Sequence, residues 1–347
     1  MKAERLQEII RRFADCRIAV LGDYFLDKYL DVNPALAEIS METGKTAHQV
    51  VSIRCAPGAA GTVINNLAAL GAGKLYVLGF TGDDGEGFEL RRSLRQLGCD
   101  IEGLLIHPDR FTPTYLKPRV CDTADLSGEH ERYDTKNRMR TSDEVQAGIL
   151  AHLERLLHRV DAVVVVDQVE QDECGVVTRT VRDGLAAFAG RHPKVVFWAD
   201  SRRRIGSFRN VIIKVNSHEA VEETFPGGLP DGDGVLGDDS VKVAMAELRR
   251  RTGKPVFVTA GRRGIWIDDA QPTLVRGLSV PEPTDPTGAG DSATAGAVLS
   301  LCAGAAIHEA ALLANLVASI TVQQLATTGT ASPDQLGPRL ELWHTQV

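Results

Sequence analysis

Six short apolar runs, each ending in a turn or a polar residue, constrain this chain more than any other feature. They are RIAVLG (17–22), KLYVLGF (74–80), AVVVV (162–166), VVFWA (195–199), VIIKVN (211–216) and PVFVTA (255–260). Runs this uniformly apolar read as strands buried on both faces, whereas a half-solvated strand alternates. Helical segments lie between and around them. Leu6, Ile9, Ile10 and Phe13 give an amphipathic N-terminal helix. Pro57-Gly58 opens a helix to about Leu70, stopped by Gly71, and Asp83-Asp84 sits where an N-cap belongs before a helix to about Leu97. VQAGILAHLERLLHRV (145–160) is helical, and 293–322 reads as two packed core helices. Strands alternating with amphipathic helices predict a mainly parallel sheet covered on both faces. A polar, alternating segment, about 28–55, and a second segment of strands and turns, about 103–135, do not fit this pattern. They are expected to pair with each other as a small separate sheet, a lid over the ends of the main strands. With no internal repeat and no linker, residues 1–347 are expected to form one domain carrying those two inserted lid segments.

A chain of 347 residues can bury a large core. Lys plus Arg is 39 against 46 Asp plus Glu, and the resulting charge of −7 lacks the footprint of a nucleic-acid binder. The six cysteines form no CxxC pair and are expected as buried free thiols of a reducing compartment. The nine histidines form no HExxH. The N-terminus lacks the apolar core of a signal peptide, and His308 with Glu309 interrupts the most apolar stretch. A cytoplasmic protein with no membrane partner is expected. LPDGDGVLGDD (229–239) resembles half a calcium loop but lacks the distal Glu, so it reads as a solvated loop.

In open α/β sheets ligands bind beyond the carboxyl ends of the strands. Asp23, Asp27, Asp167, Asp200, Asn216 with Glu219, Thr259 to Gly264, and Asp285 to Asp291 fall there. DPTGAGDSATAGAVLSL is the most informative of these. Its Thr-Gly-Ala-Gly-Asp starts a long small-residue helix, whose first turn offers free N–H groups and partial positive charge. Gly288 and Gly290 let an anion approach that backbone. Asp291 then fits a base that takes a proton from an attacking hydroxyl while the amides hold a transferring phosphoryl group. It fits equally a first-turn carboxylate complementing the helix dipole. Asn216-x-x-Glu219 either orders a hydrated magnesium ion or forms a capping box. Thr259-x-Gly261-x-x-Gly264 is a glycine-rich turn directly after a strand. Neither a Walker A loop nor an early GxGxxG is present.

In this order the segments resemble the PfkB (ribokinase-like) carbohydrate kinase family over roughly residues 15–340. DPTGAGDS matches its C-terminal signature with Pro286 in place of the usual Thr. Asn216-x-x-Glu219 matches its N-x-x-E motif, and Thr259-x-Gly261-x-x-Gly264 its nucleotide turn. APGAAGTVINNLAALG (56–71) resembles the N-terminal signature. Within the family, GDYFLDKY (22–29), EISMET (38–43), TPTYLKPRV (112–120), ERYD (131–134) and TGTASPDQL (328–336) are most similar to the heptose-7-phosphate kinase half of bifunctional ADP-heptose synthases. A chain of 347 residues leaves no room for the nucleotidyltransferase half, so kinase activity alone is expected.

The resemblance implies a ribokinase-like three-layer α/β/α fold with a mainly parallel central sheet and a small β lid. It implies ATP-dependent phosphorylation of a sugar or sugar-phosphate hydroxyl, with Asp291 as base and the amides of Gly288, Ala289 and Gly290 as anion hole. Asn216 and Glu219 are implied as organisers of Mg2+ and phosphate, and Thr259, Gly261, Gly264 and Asn315 as nucleotide contacts, Asn315 at the adenine edge. Asp27, Gly58 and Ala59 are implied as sugar contacts. Ala59 stands where the family has a glycine, and Thr62 where it has the sugar-binding Asn. Lys117 and Arg119, with Arg202 to Arg204, are either an anchor for a phosphate on the sugar or solvated surface charge. Some relatives use K+ beside the anion hole, and lids pairing into a homodimer are expected. Two other readings stay open. One is a sugar- or nucleotide-binding regulator on a kinase fold. The other is a nucleoside kinase, which the scarcity of aromatic residues (5%) disfavours.

Overall fold

The computed structural model describes residues 1–121, 123, 128–227, 237–325 and 327–347. Helix α1 (Ala3–Arg11) leads into β1 (Arg17–Gly22), followed by the long strands β2 (Tyr24–Ile39) and β3 (Thr46–Ala59) and helix α2 (Ala60–Ala69). Then come β4 (Lys74–Gly82), α3 (Gly85–Gln96), β5 (Asp100–His107), β6 (Thr114–Val120) and β7 (Tyr133–Thr135). The middle of the chain forms α4 (Asp143–Leu156), β8 (Ala162–Asp167), α5 (Arg179–Arg191), β9 (Val196–Ser201), β10 (Ile212–Asn216), α6 (Ser217–Thr224) and α7 (Asp238–Thr252). The last part forms β11 (Val256–Thr259), β12 (Gly264–Asp268), β13 (Pro272–Arg276), α8 (Ala289–Cys302), α9 (Ile307–Thr321) and α10 (Pro333–Gln346).

Among the described residues the main sheet runs β13-β12-β11-β10-β9-β8-β1-β4-β5. From β5 through β11 the pairings are parallel; β12 and β13 close the edge antiparallel. Successive side chains of β1 serve opposite cores. Ile18 and Val20 pack with α1, α2, α8, α9 and α10, whereas Ala19 and Leu21 pack with α4, α5 and α7. That alternation makes three layers, helices on each face of a buried sheet.

A second sheet, ordered β3-β2-β6-β7, carries the expected lid strands. Asp27 of β2 lies opposite Ala56 of β3 on one side and Tyr115 of β6 on the other. Two expectations need correction. Residues 103–107 belong to β5, the parallel edge strand of the main sheet, not to the lid. They are only partly buried, as an edge strand is, so they resemble the strands of a half-solvated lid. Pro57 and Gly58 end β3, and the helix starts at Ala60. The β12–β13 hairpin was not foreseen, because PTLVR is short and only partly buried. The calcium-like segment lies outside the described residues over 229–236, and Asp238 and Asp239 are the first turn of α7. No helix among the described residues is long and apolar enough to cross a membrane.

The β3–α2 junction carries local strain. Ala59 has φ 53° and ψ −116°, a conformation that glycine adopts without cost and alanine does not. It is held because Ala60 N–H donates to Asp23 O at 3.0 Å and Ala59 pairs with Tyr24. Replacing Ala59 by Gly should therefore stabilise the protein by about 1 kcal/mol, the relieved strain exceeding the added unfolded-state entropy. Urea denaturation measures this. A destabilised variant would mean that the alanine methyl contributes packing that outweighs the strain.

Candidate active site

The carboxyl ends of the parallel strands meet the start of α8. Gly288, at φ 75°, is the left-handed residue that turns the chain into that helix. Thr287 N–H donates to Asp285 Oδ1 at 2.9 Å, and Ala289 N–H donates to Pro286 O at 3.1 Å. The Ala289 amide is therefore engaged by the turn itself, contrary to expectation. The N–H groups of Gly288, Gly290 and Asp291 have no hydrogen-bond partner among the described residues. Three free amides at a helix start can together receive an anion.

Asp291 is partly exposed at this mouth. Its carboxyl is pushed up to about 7, chiefly by burial and next by the like charge of Asp200; Lys214 and Arg202 pull the other way, and Asp27 adds to the rise. A carboxylate poised near neutrality suits proton abstraction better than dipole complementation, which would favour ionisation at low pH.

Thr259, Gly261, Gly264 and Asn315 come together with Ala289 and Gly290 around one cleft of about 390 Å³. Ile265, Leu278, Val280 and Val322 supply an apolar wall, suited to a planar base. Gly264 is at φ 110°, and a Cβ there would fall 2.2 Å from Val275 O, so only glycine fits the turn into β12. The side-chain nitrogen of Asn315 donates to Val275 O at 3.0 Å and to Arg276 O at 3.2 Å. It thereby braces the cleft wall, and its oxygen is the atom left for a ligand.

Asn216 and Glu219 form the reciprocal cap. Asn216 Oδ1 accepts from Glu219 N–H at 2.9 Å, and Glu219 Oε2 accepts from Asn216 N–H at 3.1 Å. The other Glu219 oxygen has no hydrogen-bond partner among the described residues. A magnesium ion keeps most of its waters and needs only one or two carboxylates beside the phosphates, so that oxygen fits it. No group of three or more His, Cys, Asp or Glu able to hold a metal occurs among the described residues.

On the lid side, buried Asp27 pairs with Lys117 at 2.8 Å, and Lys117 also reaches the Tyr29 hydroxyl at 3.4 Å. A Cβ on Gly58 would lie 2.5 Å from Asp27 Oδ2, so the glycine admits the carboxylate. Thr62 differs from expectation: it is 2% exposed, and its methyl lies 3.4 Å from where a Gly288 Cβ would be. It packs against the turn at Gly288. The basic set also divides. Arg204 is half-buried and bonded to Asp167 at 2.7 Å, while Arg202 and Arg203 lie 3.7 and 3.8 Å from Glu170, and Arg119 lies 4.0 Å from Asp31.

Two further groups shape the strand ends: Asp23, which the sequence places there without a role, and Lys214, which it does not single out. Buried Asp23 accepts N–H groups from Gln168 (2.8 Å), Val169 (2.9 Å) and Val176 (2.7 Å), which ties the 168–176 loop to the strand ends. Its carboxyl is pushed up to about 6 by burial and then by Asp167. Lys214, 7% exposed, pairs with Asp200 at 2.5 Å. Its signal was a lone lysine inside the apolar run VIIKVN.

Residues 198–335 match the family model described as pfkB family carbohydrate kinase. Curated relatives named Bifunctional protein HldE include one from Desulfatibacillum aliphaticivorans, 29% identical over 99% of this chain and 66% of its own length. Another, from Caulobacter vibrioides, is 30% identical over 93% of this chain and 63% of its own length. The chain thus spans just under two thirds of such relatives. Among solved structures, Escherichia coli phosphofructokinase-2 in complex with substrates and products superposes with TM-score 0.69 at 17% identity, covering 94% of this chain and 99% of that one. Arabidopsis thaliana ribokinase complexed with ribose and ATP superposes with TM-score 0.68 at 17% identity, covering 94% and 99%. These likenesses show a ribokinase-like fold.

Proposed function

We propose that this chain, of which residues 198–335 match the pfkB family carbohydrate kinase model, transfers the terminal phosphoryl group of ATP to a hydroxyl of a sugar or sugar phosphate, with a heptose 7-phosphate as the leading acceptor. The observation that carries the reading is one juxtaposition. Free amides at the start of α8 adjoin a carboxyl poised near neutrality, between a nucleotide-sized cleft and the lid.

The nucleotide lies in the 390 Å³ cleft, its base against the apolar wall and its phosphates toward Gly288 and Gly290. The acceptor lies under the lid, held by Asp27, Gly58 and Lys117. Asp291 takes the proton of the attacking hydroxyl as the new O–P bond forms. The bond between the γ-phosphorus and the bridging oxygen breaks, and ADP leaves with that electron pair. The helix-start amides hold the charge on the group in flight. Asn216 and Glu219 would hold Mg2+, which supplies charge neutralisation of the phosphates when bound. Closing the lid excludes water, so the hydroxyl rather than water receives the phosphoryl group. Free thiols at all six cysteines suit a reducing cytoplasm.

A coupled ADP-release assay over sugars, sugar phosphates and nucleosides tests this reading. Turnover with a sugar or sugar phosphate is expected. Binding without turnover across the panel would favour a regulator, and turnover with nucleosides alone a nucleoside kinase.

The lid also suggests a homodimer. Leu36, Ile39, Met41, Val50, Val51 and Ile53 are exposed on β2, β3 and their connection, and β3 is an edge strand. A second lid is the proposed cover. Ile53→Lys should convert a dimer to a monomer in sedimentation velocity, and a monomeric wild-type chain would contradict the arrangement.

A further inference from the structure

Lys214 lies inside β10, in the parallel core, where an ammonium loses its hydration and persists only beside anions. Asp200 is its register partner on β9, so both side chains leave the same face of the sheet, and their charged atoms meet at 2.5 Å. That pair alone would be a structural ion pair. The position of the ammonium says more. A Cβ on Gly290 would fall 2.8 Å from Lys214 Nζ. Residue 290 also bears one of the three free amides that open α8. The absent side chain is thus what lets the ammonium reach that amide cluster.

We infer that Lys214 is a further catalytic residue, its ammonium completing with the Gly288, Gly290 and Asp291 amides the cradle for the phosphoryl group in flight. The inference rests on the kinase reading above. It gives Gly290 a second reason to be glycine: a methyl there would strike the ammonium as well as the approaching anion. It gives Asp200 the work of a positioning residue that fixes Lys214 through the ion pair at 2.5 Å. A preformed cation and preoriented amides need no reorganisation as charge develops, which is where such groups act most strongly.

The test compares ADP with ADP plus aluminium fluoride, a mimic of the group in flight, by calorimetry in magnesium buffer. Lys214→Met leaves Asp200 buried without a partner and risks unfolding, so the double variant D200N/K214M removes both charges together. It should bind ADP within about threefold of wild type, bind the fluoride complex at least roughly thirtyfold more weakly, and lose about 10²-fold in kcat. K214R should recover part of the fluoride affinity. A double variant that binds the fluoride complex as tightly as wild type overturns the inference, as does a wild-type protein whose ADP affinity gains nothing from fluoride. Asp291→Asn run in parallel separates the two readings. If it keeps full turnover, the base assignment falls, while Lys214 is still judged by the fluoride complex.

Discussion

Replacing Asp291 by Asn should lower kcat about 10³-fold while leaving ADP affinity within about twofold. The amide oxygen keeps the shape of the side chain but cannot accept a proton to become neutral. Nothing in the nucleotide cleft depends on residue 291, since Thr259, Gly261, Gly264 and Asn315 line it from other elements. The variant should also fold at least as well as wild type at pH 8. The wild-type carboxylate is ionised there despite partial burial and the nearby charges of Asp200 and Asp27, and the amide removes that repulsion. Loss of turnover with loss of stability would instead mark Asp291 as a structural helix-start residue.

The second large effect concerns the scaffold behind the site. Replacing Arg204 by Met should destabilise the protein by about 3–5 kcal/mol in urea at pH 7.5. Arg204 bonds Asp167 at 2.7 Å and also donates to Glu170 O at 3.1 Å. Without it, Asp167 (1% exposed) and Asp23 (3% exposed) remain as two buried carboxylates facing each other. The pH dependence has a definite sign. Asp23 is raised in the folded state to about 6, so the folded protein holds that proton more tightly than the unfolded chain. Protonation relieves the repulsion, and the variant should regain stability as pH falls through about 6. A D167N/R204M double variant should lose much less. A single variant as stable as wild type would show that solvent already screens this pair.

The elements that position the site were legible because their burial is simple. RIAVLG, AVVVV and PVFVTA are buried on both sides, and such strands announce themselves by composition alone. Residues 103–107 read as lid because an edge strand of a parallel sheet and a strand of a solvated lid are both only partly buried. The phosphate-side residues were legible for a related reason. Gly264, Gly288 and the Asn216–Glu219 pair mark backbone conformations that few other residues satisfy. Side chains that act through tertiary contact were not. Arg204 sat in a triplet of arginines that reads as surface charge, and only the register of β8 with β9 brings it to Asp167. Lys214 required knowing that Asp200 lies opposite it and that Gly290 crosses above. Which amides stay free was also invisible, because the bond from Ala289 to Pro286 is a property of the turn.

The reading as a whole turns on a carboxyl that accepts a proton near neutral pH at the start of α8. The pH dependence of kcat/KM for the acceptor measures this most directly. Wild-type activity should fall with an acid limb centred near the raised value of about 7, because the base must be ionised to act. The residual activity of Asp291→Asn should lack that limb. A wild-type profile flat from well below that value to well above it, or a variant that keeps the same limb, would contradict Asp291 as the base.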